Sequence, residues 1–424
     1  MRFLPRLFGH AIRKGRLRLK GPNGYERSFG DGDGPTATIR ITDASHDWKI
    51  FLNPELNAAE AFMDGGLVVE DGGAWDLLSV FFVNKRSFDM SPTQIFWNGL
   101  ARKLRRVMQH NPIAQSRKNV GHHYDLGNAF YRMWLDWDME YSCGYFPQGD
   151  EALEDAQTLK KRHICAKLRL EPGQKVLDIG CGWGGMGLYL AAVAEVEVVG
   201  VTLSTEQLAI AKSRAEAAGL SDRCRFELKD YRHVTETFDR VVSVGMLEHV
   251  GVGHLGEYFL KVRDFLKPDG VALIHSISTK APPGITGPFL RKYIFPGGYA
   301  PSMSELMLAV ERSGLWMTDT EVWRVHYADT LKIWRDRFED RRAEVEAMYD
   351  ERFARMWEFY LAASEGAFRY GSSNVIQVQL GRERDAMPLH RDYVAGAAAA
   401  LAEKEVEALP MLRAATAAAF GESD

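Results

Sequence analysis

The chain has 424 residues, 26% charged and 46% hydrophobic, with a formal net charge of −4. That length predicts two domains with room for full cores, and the slight negative balance argues against a general nucleic-acid binder. No apolar run spans a bilayer and no uninterrupted apolar segment follows the basic start, so neither a transmembrane helix nor a secretory signal is predicted.

The four cysteines (Cys143, Cys165, Cys181, Cys224) show neither disulfide density nor C-x-x-C metal spacing. No metal site is predicted. The chain therefore reads as cytoplasmic, reduced and at most peripheral to a membrane. Charge is unevenly spread. Residues 1–20 hold Arg2, Arg6, Arg13, Lys14, Arg16, Arg18 and Lys20 without an acid, and residues 101–120 hold Arg102, Lys103, Arg105, Arg106, Arg117 and Lys118, again without one. Interleaved with Phe3, Leu4, Leu7, Phe8, Ile12 and Leu17, the first segment reads either as an amphipathic basic helix for an anionic lipid surface or as a solvated helix face.

In chain order, Ala37–Ile41 and Trp48–Leu52 read as strands separated by Gly/Asp turns. Pro54–Met63 reads as a helix with Asn53 as N-cap, and residues 74–84 as another. Together they predict a small α+β domain over residues 1–100. An aromatic run (Phe81, Phe82, Phe88, Ile95, Phe96, Trp97) leads to a basic linker over 101–121; core packing and a lipid-facing groove both explain it. A catalytic domain is expected over 122–394, with a helical tail over 395–424.

Within that domain Val176-Leu177-Asp178-Ile179 ends in Gly180-Cys181-Gly182-Trp183-Gly184 and an apolar helix follows, the opening strand–turn–helix of a nucleotide fold. Strands are predicted at 197–202, 225–229, 240–245 and 271–277, with helices at 204–218 and 258–266 and a turn at 267–270. This alternation means a largely parallel sheet covered on both faces. Helices at 301–314 and 328–366 and strands at 316–323 and 375–380 complete it.

A dinucleotide site would show G-x-G-x-x-G and an acid ending the second strand. Here the spacing is G-x-G-x-G and the strand ends in Val201-Thr202-Leu203-Ser204. Asp178, Thr202, Gln207 and Asp230-Tyr231 at successive strand ends instead suit S-adenosylmethionine (SAM), which needs a hydroxyl-lined ribose pocket and acceptors for its amino group.

Tyr141-Ser142-Cys143, Leu247-Glu248-His249-Val250-Gly251, Leu273-Ile274-His275-Ser276-Ile277 and Lys292-Tyr293-Ile294-Phe295-Pro296-Gly297-Gly298 occur in order around these motifs. With them the chain resembles the cyclopropane-fatty-acyl-phospholipid synthase family from about Asn119 to at least Trp334. The resemblance implies a class I SAM-dependent methyltransferase, Rossmann-like with a mostly parallel seven-stranded sheet. It implies transfer of a methylene group to the cis double bond of phospholipid acyl chains. The same cation could also lose a different proton, giving methyl-branched or methylene products.

The family's bicarbonate ion, which takes the proton, maps here onto Cys143, Glu248, His275, Ile277 and Tyr327, with His326 a neighbouring alternative to the last. Backbone groups of Cys143 and Ile277 are expected to bond that anion. The cofactor set is Tyr141, Ser142, Asp178, Gly180, Gly182, Gly184, Thr202, Leu203, Gln207, Asp230 and Tyr231. Tyr131, Trp134, Tyr145, Phe146, Tyr293, Phe295 and Tyr299 would line a dry cavity or pack in the core. Association with the inner face of the membrane, through its phospholipids, and a homodimer are further expectations.

Overall fold

The computed structural model describes residues 1–89 and 126–421. The basic segment at 101–120, the aromatic residues Ile95, Phe96 and Trp97 and the expected domain start near His122 lie outside the described residues. The chain divides into two compact units, and each is taken by itself.

The first unit draws on residues 1–89, Gly284–Pro296 and Ala328–Ser373. Its sheet has the order β2 (Tyr25–Phe29), β1 (Arg16–Gly21), β3 (Thr36–Ile41), β4 (Leu67–Val69). β1 and β3 run parallel, Leu17 opposite Ala37, and both outer pairs are antiparallel. Helices α1 (Leu4–Ala11), α2 (Ser45–Leu52), α3 (Pro54–Met63), α4 (Ala74–Val83) and the short α5 (Lys85–Asp89) complete its N-terminal portion. Asn53 caps α3 as expected, accepting from Leu56 N.

Two expectations fail here. Residues 1–20 are not one helix: α1 ends at Ala11 with Leu4, Leu7, Phe8 and Ala11 buried, and Arg16 onward is strand. Its apolar face is thus already used by the core. Trp48–Leu52 is helical rather than extended. Its alternating pattern also satisfies helical spacing, and the Asp43 carboxylate accepting from Ser45 N (2.6 Å) sets the turn that starts α2.

The later segments of this unit carry three helices, α12 (His326–Asp340, from Ala328 onward), α13 (Arg342–Met348) and α14 (Glu351–Arg369), where one long helical region was expected. They group with the N-terminal elements although the sequence places them in the catalytic domain. The reason is side-chain packing. Phe359 of α14 meets Phe62 of α3 at 5.8 Å, and buried Glu358 accepts the N–H of Ala74 at the start of α4 (2.6 Å) while pairing with Arg342 (2.7 Å).

The second unit holds a seven-stranded sheet in the order β10 (Trp316–Trp323), β11 (Ser373–Gly381, from Asn374), β9 (Leu266–Thr279), β8 (Phe238–Val244), β5 (Lys175–Ile179), β6 (Glu197–Thr202), β7 (Cys224–Leu228). Strands β5 to β9 pair in parallel and β10 with β11 antiparallel. The expected turn at 267–270 lies inside β9, where the register with β8 shifts between Phe238 and Arg240. Such an excursion lets one strand absorb extra residues without losing its pairing.

The central strands are apolar on both sides, as a doubly covered sheet requires. One face packs Ile164 and Leu168 of α7 (Leu153–Leu168, which follows the short α6 at Asn128–Arg132), Leu188 of α8 (Gly185–Ala194) and Ala211 of α9 (Thr205–Ala217). The other packs Tyr258 and Phe259 of α10 (Leu255–Phe265) and Leu306 and Val310 of α11 (Met303–Ser313). The C-terminal helix α15 (Asp392–Ala419) is an integral part of the first face. Ala408, Leu412 and Ala415 join that core, and buried Glu405 binds Arg162 (2.8 Å) and the Tyr189 hydroxyl (2.5 Å). Among the described residues no helix is long and apolar enough to cross a membrane.

Candidate active site

Open α/β sheets bind ligands beyond the carboxyl ends of their strands, and the largest concentration of expected residues falls there. A cavity inside the second unit is lined at the ends of β5, β6, β7 and β8 and by the 139–142 segment. Tyr141, Ser142, Asp178, Gly180, Gly182, Thr202, Leu203, Gln207, Asp230 and Tyr231 all line it.

The turn after β5 explains the glycines. Gly180 and Gly182 have φ of 84° and 53°, the left-handed region, and a Cβ on Gly180 would sit 2.9 Å from the Met246 side chain. Gly184, also expected on the cofactor, is placed differently. It does not line the cavity; at the N-cap of α8 its Cβ would stand 3.0 Å from that of Ala211 and 3.1 Å from the Phe226 ring, so it serves close packing of α8 on α9 and β7.

The remaining groups are held by local geometry. Ser204 caps α9, its hydroxyl accepting from Gln207 N (3.3 Å), while Thr202 Oγ1 lies 3.2 Å from Gln207 Oε1. Asp230 is gripped by its neighbour, with Arg232 donating from Nε (2.8 Å) and a terminal nitrogen (2.7 Å). Although burial opposes ionisation of Asp230, the Arg232 bonds hold it below the usual carboxylate range. Asp178 is the opposite case. Its Oδ2 is buried with no hydrogen-bond partner among the described residues, and burial, with the charge of Glu140, pushes it up to about 7.

Sequence reasoning missed the wall behind this cavity. Glu140 lines it beside Ser142, and both are fastened from α7: fully buried Lys160 donates to Glu140 and to Ser142 Oγ (2.7 Å), and Gln157 Nε2 donates to the Ser142 carbonyl (2.9 Å). Next to them Lys161 and Arg214 pair with Asp138. Arg214 also donates to the Trp183 carbonyl (2.8 Å). Burial and the Asp138 charge push Asp136 up to about 7. In sequence Lys160 and Lys161 look like the charged face of a surface helix; only their burial identifies them.

The second expected set also lies in this unit. Glu248 is buried in the turn after β8, and its Oε1 accepts the N–H of Ile277 on β9 (2.5 Å). Burial pushes it up to about 7 against that bond. The N–H of Ile277, expected on an anion, is given to Glu248 here. His275, two residues earlier, is buried, its ring edge-on to Trp323 at 5.1 Å.

The Gln377 amide nitrogen lies 3.2 Å from His275 Nδ1 and can only donate, so a neutral imidazole carries its proton on Nε2. Burial, then the charges of Lys160 and Lys167, keep His275 well below its ordinary value and hence neutral. Glu248 Oε2, Trp323 Nε1 and Gln377 Oε1 are all buried without a hydrogen-bond partner among the described residues.

Cys143 is buried, its thiol donating to the Gly144 carbonyl (3.2 Å). Tyr327 is buried at the start of α12, and the neighbouring His326 accepts from Phe146 N (3.0 Å) within an aromatic stack of Tyr145, Phe146 and Trp323. Of the expected lining residues, Tyr131 and Trp134 pack with Tyr141 and Trp183. The Tyr299 hydroxyl donates to Glu305 (2.6 Å). Tyr293 and Phe295 belong to the first unit, bonded to Glu60 (2.8 Å) and packed on Tyr360 (5.8 Å).

Residues 112–378 match the family model described as mycolic acid cyclopropane synthetase. The chain is 38% identical to the cyclopropane-fatty-acyl-phospholipid synthase of Escherichia coli K12, over 83% of this chain and 89% of that one. It is 40% identical to a probable fatty acid methyltransferase of Pseudomonas putida, over 61% of this chain and 68% of that one. Among solved structures it resembles the mycolic acid cyclopropane synthase CmaA1 complexed with SAH and CTAB (TM-score 0.59, 30% identity, 64% of this chain and 99% of that one).

Proposed function

The chain belongs to the cyclopropane-fatty-acyl-phospholipid synthase family of SAM-dependent methyltransferases, and from that premise we propose that it transfers a methylene group from SAM to the cis double bond of acyl chains in membrane phospholipids. The name of the Escherichia coli relative supplies the substrate class. The observation that carries the reading on this chain is Glu248, a buried carboxylate in the turn after β8 with one oxygen fixed by Ile277 of β9, the strand that also holds His275, and the other without a hydrogen-bond partner among the described residues.

The residues fit both small-molecule groups that the reading requires. When bound in the cavity at the strand ends, SAM supplies the methyl group. Asp178 and Glu140 offer carboxylates to its cationic portion, and Gly180 and Gly182 leave backbone room. The buried polar atoms of the expected anion residues and their neighbour Trp323 suit a small protic anion in kind: Glu248 Oε2 can accept, and His275 Nε2 and Trp323 Nε1 can donate. Bicarbonate held there, with Cys143 and Tyr327 as further expected contacts, supplies a base for the proton lost on ring closure. Glu248 would accept from its hydroxyl, and the neutral His275 would steady its negative charge by donating a hydrogen bond from Nε2. Burial of these groups excludes the water that would trap a carbocation.

The raised basicity of the buried Asp178 carboxylate gives a direct check. Because burial raises Asp178 to about 7, binding of cationic SAM below that pH must release a proton. Affinity for SAM is expected to tighten as pH rises from 5.5 towards 7, by up to about tenfold per pH unit, and to level off above it. Calorimetry in buffers of different ionisation enthalpy measures the release, and Asp178→Asn should flatten the profile.

The reaction itself is tested with purified protein, labelled SAM and cis-unsaturated phospholipid vesicles. A product heavier by one CH₂ that resists hydrogenation is expected; unconsumed SAM would refute the reading. The methyltransferase name of the Pseudomonas relative favours one alternative, methyl-branched or methylene products from the same site. Mass spectrometry separates it by hydrogen count. The reading further takes residues 1–100 as the lipid-associating part and the unit with the seven-stranded sheet, rather than the whole of 122–394, as catalytic, with the protein working at the inner membrane face as a homodimer.

A further inference from the structure

Helix α2 packs with much of its apolar surface outward. Its inner side carries Ile50 and Asp47, both buried, and the Asp47 carboxylate accepts the N–H groups of Arg2 (2.6 Å), Phe3 (3.1 Å) and Leu4 (2.9 Å) at the start of α1. Its outer side carries Trp48, Phe51 and Leu52 at i, i+3 and i+4, a single stripe. Trp48 is 47% exposed and Leu52 46%, while Phe3, 36% exposed, extends the stripe by packing on Phe51 at 5.5 Å.

The exposed formal charges of residues 1–11 and of α2 are all basic. Arg2, Arg6 and Lys49 are exposed, and Asp47, the acid of α1 and α2, is buried in its cap; exposed Asp43 precedes α2, and exposed Glu55 lies in the first turn of α3. Three such side chains uncover roughly 300 Å² of apolar surface. That is well short of the ~800 Å² per partner of a stable protein–protein contact. It suits insertion of a few anchors into a lipid interface, where indole rings settle at headgroup level and cations meet phosphate.

We propose that Phe3, Trp48 and Leu52 form the membrane-insertion surface of this protein, entering the interface of an anionic phospholipid bilayer with Arg2, Arg6 and Lys49 among the headgroups. The proposal rests on the reading that the substrate is bilayer phospholipid, and names the surface that meets it. It replaces an inserting N-terminal helix, since the apolar face of α1 is consumed by the core and cannot also face lipid. The Asp47 bonds tie the start of α1 to α2, so the stripe is presented on a fixed support.

The four native cysteines are buried, so a full-length Leu52→Cys chain can be labelled selectively with an environment-sensitive fluorophore. On adding vesicles of phosphatidylglycerol and phosphatidylethanolamine, its emission should shift to the blue and rise several-fold. The same label at Val406→Cys, 75% exposed on α15, should not respond. A Trp48→Ser/Leu52→Ser chain should show at least a tenfold lower partition coefficient in vesicle flotation, with unchanged melting temperature and unchanged turnover of detergent-dispersed lipid. A silent Leu52 label on a chain that floats overturns the proposal, as does a double variant that floats like the parent. So does loss of self-association in place of vesicle binding, which would make the occupant a second copy. A parent chain that never floats yet turns over dispersed lipid refutes membrane docking while leaving the chemistry intact.

Discussion

Glu248→Gln is expected to lower product formation on the order of 10²–10³-fold while SAM affinity stays within about twofold. The geometry makes this substitution more than loss of a charge. The Ile277 N–H needs an acceptor, so the amide oxygen of a glutamine takes that bond and its NH₂ group faces the position where Glu248 Oε2 now stands. An acceptor becomes a donor at the point where the proposed protic anion would present its hydroxyl. Isotope-labelled SAM with cis-unsaturated vesicles measures the loss, and calorimetry with SAM alone shows that the cofactor cavity is intact. Full activity would remove Glu248 from the base machinery.

The pH profile of the parent enzyme follows from the same burial. Glu248 is pushed up to about 7, so its accepting, ionised form grows in as pH rises through that value, and turnover is expected to rise with it. For stability the sign is reversed. A carboxyl whose folded value is raised above its unfolded one contributes stability that is fully present at low pH and lost as pH rises through about 7. Asp136, Asp178 and Glu248 all carry this signature, so without ligands the protein should be more resistant to unfolding near pH 5 than near pH 8, provided other carboxylates stay ionised. SAM should narrow that difference by favouring ionised Asp178.

The parts of the site legible in sequence are those whose chemistry is local. Gly180 and Gly182 mark the turn, Thr202, Gln207 and Asp230 mark strand ends, and each is recognisable within a few residues of its own element. The alternating βα pattern likewise fixes a parallel sheet, because a strand covered on both faces must be apolar throughout. What depends on distant partners was not legible. Nothing near Ile277 says that its N–H is committed to a carboxylate 29 residues away, and nothing near Gly184 distinguishes a packing glycine from one beside a ligand. Trp48–Leu52 fits strand and helix spacing equally, and the Asp43 turn decided it. The grouping of α14 with α3 and α4 rests on pairs such as Ala74 and Glu358, 284 positions apart, which no local pattern encodes.

The wall around Lys160 is the largest such omission, and it carries the second strong expectation. Lys160→Met should cost about 3–5 kcal/mol of stability, because it leaves Glu140 buried without its cation and frees the Ser142 hydroxyl. It should also weaken SAM binding by about tenfold, the equivalent of one charge-assisted hydrogen bond, since Tyr141 and Ser142 line the cavity on the segment that Lys160 fastens. Charge and packing can be told apart with a second change. In Lys160→Met/Glu140→Gln the carboxylate is gone as well, so most of the lost stability should return, while SAM affinity should not, because Glu140 itself faces the cavity. Urea midpoints and calorimetry read the two effects separately. If the double variant unfolds as readily as the single one, the pair is not held by charge compensation, and the wall owes its rigidity to Gln157 and the packing of α7 instead.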